Sequence, residues 1–277
     1  MEIDRKKIRN ARLFRLKDLF SHYGLNLISL SYFVFFSTLF IFIWFVLKSF
    51  FDTQIMRDFS TSDSQTKQVM INHLFANQVL FGLIFIPLII VTFMLLSGCI
   101  YLSYKINTYE RENYFATFFY GVKTGFKYSL VAGLFVALIY NIVNVLLFYQ
   151  TLSNIFIYYI VFIFSALVLF PIITIILYEG VIYNPKLLVA IKNGCIIYFR
   201  FLLYCMILLP LIALPIILII VFKNEIWVYI LFIILSAFIF GFLLTIISEM
   251  IIDMFDETVN KFYYPKNYLK GLNIPND

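Results

Sequence analysis

The run YSLVAGLFVALIYNIVNVLLFYQTLSNIFIYYIVFIFSALVLFPIITIILY, Tyr128 to Tyr178, holds 51 consecutive residues without one charged side chain. Soluble domains carry about 25% charged residues, so no soluble fold of this size accommodates it. A helix needs about 20 apolar residues to cross the hydrocarbon core of a bilayer. The run therefore holds two spans, with the polar turn Tyr149-Gln150-Thr151-Leu152-Ser153-Asn154 between them. The rest of the chain agrees, with 63% hydrophobic and 13% charged residues over 277 positions.

Working outward, four more charge-poor segments appear, and the spacing predicts spans over 25–47, 74–102, 128–148, 155–178, 201–222 and 226–247. These runs are continuous, whereas the strands of a membrane barrel alternate. Backbone groups in lipid must pair internally, so continuous apolar runs become helices. The expected fold is one all-α polytopic bundle of six spans over 1–277. A basic lead-in at 1–24 precedes it, and a polar tail at 248–277 follows.

Lysine and arginine set the orientation. Seven lie in the lead-in (Arg5, Lys6, Lys7, Arg9, Arg12, Arg15, Lys17), and four between spans two and three (Lys105, Arg111, Lys123, Lys127). Lys186, Lys192 and Arg200 follow span four, and Lys261, Lys266 and Lys270 lie in the tail. Only Lys48, Arg57, Lys67 and Lys223 fall on the other side, so the positive-inside rule predicts that both termini are cytoplasmic. The lead-in lacks a small-residue cleavage site after its apolar run, so span one is expected to stay in the protein. Its mixture of Ile8, Leu13, Phe14, Leu16, Leu19 and Phe20 with charges fits a helix on the membrane surface or a snorkelling tail. The net charge of +6 follows from this bias, and the lipid bilayer is the expected partner. The basic residues flank spans and form no domain of their own, which excludes nucleic acid as a partner.

The remaining signals are polar. The segment 51–73 reads as a solvated outer loop. Thr108 with Arg111 and Glu112 predicts a capped helix start, and Asn184-Pro185 predicts an N-cap and first helical residue. Ile86-Pro87 and Val122-Lys123-Thr124-Gly125 are echoed by Phe170-Pro171 and Ile191-Lys192-Asn193-Gly194, a weak parallel repeat. Pro87, Pro171, Pro210 and Pro215 interrupt spans and predict kinks that act as hinges or as static bends. Asn141 and Asn144, a turn apart on span three, are candidate intramembrane polar contacts between helices. Glu249, Asp253, Asp256 and Glu257 recur at helical spacing and form one acidic stripe. With Arg111 and Lys192 they are candidate partner-docking residues, and Lys105, Lys123, Lys192 and Arg200 are the basic groups that would close the stripe from within the chain.

Catalytic chemistry is not signalled. No Walker loop, His-Glu-x-x-His or nucleophile elbow occurs, and His22 and His73 fall on opposite sides of the expected membrane. Cys99, Cys195 and Cys205 lie in spans or on the cytoplasmic side, where a disulfide is not expected. Neither a catalytic residue, nor a metal site, nor a cofactor is predicted.

Asn184-Pro185-Lys186-Leu187, Lys192-Asn193, Phe255-Asp256 and the ending NKFYYPKNYLKGL (Asn260 to Leu272) resemble the YesL-like family of small firmicute membrane proteins. The Tyr104 to Glu112 loop and the following Phe118-Phe119 are also similar. The family has no established activity, and its members are often associated with carbohydrate uptake systems of the ATP-binding-cassette type. The resemblance thus implies a non-enzymatic accessory protein, with permease or ATPase subunits of such a system, or a second copy of the chain, as partners. The rival expectation is a permease subunit that pairs with a separate ATPase. Lys192-Asn193-Gly194 and Leu209-Pro210 echo the cytoplasmic loop of importer permeases, but its Glu-Ala-Ala is missing. A lipid-modifying enzyme is third, and the missing acid/base cluster argues against it.

Overall fold

A computed structural model describes residues 5–57, 62–110, 113–150, 160, 163–207 and 226–272. These residues form helices, with no strand among them. The order is α1 (Arg5–His22), α2 (Gly24–Met56), α3 (Ser64–Asn107), α4 (Tyr114–Gln150), α5 (Phe170–Tyr183), α6 (Leu187–Arg200) and α7 (Ile226–Phe255). Four stretches are long and apolar enough to cross a bilayer: Gly24–Ile55, Ser64–Asn107, Tyr114–Val145 and Phe238–Tyr263. The first two contain expected spans one and two, and the other two overlap spans three and six. Leu167–Tyr183, a shorter apolar helix, overlaps the second half of expected span four and runs beyond it. The expected turn at 151–154, most of span five, Pro210 and Pro215 lie outside the described residues.

The helices outrun the apolar windows. At 1.5 Å per residue, the 44 residues of α3 extend about 66 Å, roughly twice the hydrocarbon thickness. Much of the expected outer loop is consequently helix, since α2 runs to Met56 and α3 starts at Ser64 behind an extended Asp63. Ser64-Gln65-Thr66-Lys67-Gln68 is polar but lacks glycine and proline, so nothing stops the helix there.

Small residues set the helix spacing. A side-chain carbon on Gly133 of α4 would stand 2.8 Å from the Ile90 Cα of α3, and one on Gly241 of α7 would stand 2.7 Å from the Ser31 nitrogen of α2. Backbones can approach this closely only where the side chain is absent. Ser31 uses the contact, its Oγ accepting from the Gly241 N–H at 2.7 Å.

Polar side chains stitch the same seams. Trp44 Nε1 donates to the Phe81 carbonyl at 3.1 Å, and Asn141 Nδ2 to the Gly82 carbonyl at 3.3 Å, in the turn before Pro87 of α3. Asn141 therefore ties α4 to α3, whereas the Asn144 amide nitrogen is buried without a hydrogen-bond partner. Pro171 sits in the first turn of α5, directly after a π-turn at Ser165–Leu169. Proline has no N–H to donate to the preceding turn. Tyr198 of α6 adds a donor to that turn, its hydroxyl bonding to Leu167 O at 3.0 Å. Helix α6 thus runs back along α5, with Gly194 against Ile176.

Two expected helix starts are corrected. Thr108 is the cap at the end of α3, and the following helix begins at Tyr114, where Asn113 Oδ1 accepts from the Phe115 N–H at 3.0 Å. Asn113 at the N-cap satisfies the same orphan donors, five residues after Thr108. Asn184 likewise ends α5, in the left-handed region at φ 47° that Asn tolerates, and α6 starts at Leu187 behind Lys186. Pro185 marks a helix end here.

Candidate functional site: an ionic clasp at one end of the bundle

The lead-in folds as α1 and lies on the bundle. It turns Arg12, Arg15 and Leu19 inward and leaves Leu13 and Phe14 exposed. Spacings of three and four residues put the inward three on one helical face. Opposite them stands the acidic stripe of α7 and the π-turn that follows it at Asp256–Asn260.

Arg12 meets three carboxylates. Its Nη1 donates to Glu249 Oε1 at 3.0 Å, its Nε lies 2.6 Å from Asp253 Oδ1, and its Nη2 pairs with Asp256 Oδ2. Arg15 Nη2 shares Glu249 Oε1, and its Nη1 donates to the Lys270 carbonyl at 3.0 Å. Glu249 and Asp256 are each 3% exposed. Burial alone would lower the pKa of Arg12, but the three carboxylates outweigh it and raise it above the ordinary arginine value. The guanidinium is therefore permanently charged, and Arg suits the task because its planar fork engages several carboxylates at once.

The tail closes over this cluster. Asp256 Oδ1 accepts from Asn260 Nδ2 at 2.6 Å and from the Leu269 N–H at 3.3 Å. Leu269 and Gly271 have positive φ of 53° and 75°, and at Gly271 a side chain would stand 2.9 Å from the Thr108 Cα. Glu110 then ties tail to loop, receiving Lys270 Nζ at 2.5 Å, Thr108 Oγ1 at 3.1 Å and the Lys105 ammonium. Burial pushes the Glu110 carboxyl up, but the two lysines outweigh it and hold it below the usual glutamate value. Tyr109 donates to Asp18 of α1 at 2.8 Å, and its ring tilts against Tyr23 at 5.6 Å.

A second polar cluster lies beside the first. Glu179, 1% exposed near the end of α5, accepts from Asn193 Nδ2 of α6 at 2.6 Å, and its other oxygen has no partner. Tyr178, Ser248 and Ser103 link α5, α7 and α3 through two contacts of 2.8 Å.

The candidate docking residues thus divide. The acidic stripe is not an open face: Glu249, Asp253 and Asp256 are spent on Arg12 and Arg15. Those partners were not among the basic residues expected to close it, Lys105, Lys123, Lys192 and Arg200. The reason is topological, because a helix 237 residues away in sequence from Glu249 returns to cover the stripe. Glu257 is half-buried, Lys192 is exposed on α6, and Arg111 lies outside the described residues. The arginines carried a signal that was legible only in retrospect: Arg12, Arg15 and Leu19 share one face of a predicted helix. Compared with known proteins, the chain matches no family model, no curated protein and no solved structure.

Proposed function

We propose that this protein is a non-enzymatic, multi-pass accessory subunit of a bacterial plasma membrane. In this reading both termini face the cytoplasm, and the protein assembles with an ATP-binding-cassette carbohydrate uptake system. The observation that carries it is the clasp. Ion pairs and hydrogen bonds to Arg12, Arg15, Glu110 and Asp256 gather α1, the α3–α4 connection and the tail into one preformed surface. Cations concentrated on that end fit the inner side of the membrane, and the likeness of the tail to YesL-like proteins supports the association with uptake systems. Because the acidic stripe is closed, docking falls to what stays open, Lys192 beside the exposed Leu188 on α6.

Purification in a mild detergent from the native host tests the reading. A sugar permease and its ATPase should accompany the wild-type chain, and Lys192→Glu with Leu188→Glu should release them. An ATPase arriving alone, with solute transport by the two together in vesicles, would establish the rival permease-subunit reading. Purification of the chain without either subunit would overturn both.

A further inference from the structure

A hollow of about 500 Å³ opens on the outer side of α4, where the chain passes from α5 to α6. Tyr120, Lys123, Thr124, Phe126, Lys127 and Asn184 line it. Two ammonium groups one helical turn apart face it, and none of its lining residues is a carboxylate. Lys127 is held in place, with Nζ donating to the Pro185 carbonyl at 3.2 Å and lying 4.8 Å from the centre of the Tyr128 ring. Lys123 is exposed and makes no ion pair among the described residues. The Tyr128 hydroxyl donates to the Pro185 carbonyl and lies 3.4 Å from Asn184 Oδ1, and the Asn184 amide N–H groups are left to donate elsewhere. Lys48, Lys105 and Lys270, by contrast, each pair with a carboxylate. A basic hollow without one has unmatched positive potential, which an anion relieves.

Its depth in the fold names the anion. Lys123 and Lys127 are the last charges before the 51-residue apolar run that begins at Tyr128. The hollow therefore sits where the hydrocarbon ends and headgroups begin. Phe126, 48% exposed, and Phe119, 62% exposed, flank it with apolar surface suited to acyl chains. We infer that the hollow binds the phosphate of an anionic phospholipid headgroup, with Lys123 and Lys127 as the charge partners and Asn184 as a neutral donor. The inference rests on the bilayer reading of the helices and is independent of the transporter assignment. A free phosphate offers the same chemistry without the acyl chains, and the test separates the two.

The full chain in neutral detergent is titrated with phosphatidylglycerol, phosphatidylcholine or inorganic phosphate, and binding is read by native mass spectrometry and by thermal unfolding. The expected result is retention of phosphatidylglycerol and a rise in Tm with that lipid alone. In Lys123→Gln/Lys127→Gln the affinity should fall about thirtyfold, since a lysine near an anionic surface contributes about 1 kcal/mol. A charge-matched variant at exposed tail lysines, Lys261→Gln/Lys266→Gln, should bind as the wild type does. Equal binding by the Lys123/Lys127 variant, or equal response to phosphatidylcholine, would overturn the site. A matching response to inorganic phosphate would overturn the lipid as its occupant. Circular dichroism of both variants checks that a loss of binding is not a loss of fold.

Discussion

The Tyr198 hydroxyl donates to the Leu167 carbonyl at 3.0 Å, within the π-turn that precedes Pro171. A side chain of one helix thereby bonds to the irregular turn that opens another. In lipid no water can take over, so an unmade bond there carries the full desolvation cost. Tyr198→Phe should lower stability by about 1–3 kcal/mol, read as a drop in Tm in detergent. An unchanged Tm in Tyr198→Phe would show that this bond contributes nothing to stability.

Arg12 holds three carboxylates, and removing one side of a buried ion pair costs about 3–5 kcal/mol because the other charge stays buried. Arg12→Gln should destabilise the protein by that order and free α1 to early proteolysis. Reversal of Asp253, Asp256 and Glu257 to Lys should damage folding, because it would set lysines against the buried guanidinium. Such a variant reports on the clasp and cannot report on docking. A triple reversal that left Tm unchanged would refute the clasp.

Glu110 gives the clasp a pH dependence. Its folded pKa lies below the ordinary glutamate value of 4.5, so it binds its proton less readily in the folded chain. The stability it contributes is present above pH 4.5 and is lost as the pH falls from there through the depressed folded value. Melting curves of the wild type and Glu110→Gln should differ at pH 6 and converge towards pH 3. A gap that widened on acidification would contradict the assignment.

Orientation is open to a direct test. Reporter fusions after residue 277 should report a cytoplasmic terminus, and an insertion between residues 57 and 63 an external one, as the distribution of lysine and arginine requires. An external signal from the C-terminal fusion would reverse the topology and move the Lys123–Lys127 hollow to the outer leaflet.

Helical, membrane-crossing segments are legible in the amino-acid order alone. Absence of charge over 51 residues is a property of composition and length, and it acts without reference to neighbours. The same order also marked Asn141 as a contact between helices and the acidic stripe as one helical face. What those groups meet depends on how the helices pack. Helix spacing tells which side chains share a face, but not which distant helix covers it, and Arg12 reaches Glu249 across 237 positions. Cap residues were ambiguous for a local reason: Asn and Pro next to a connection suit both the end of one helix and the start of the next. Packing chose the end of α5 for Asn184 and the end of α3 for Thr108, because the Asn184 and Thr108 N–H groups close on Gly180 and Tyr104, inside the preceding helices.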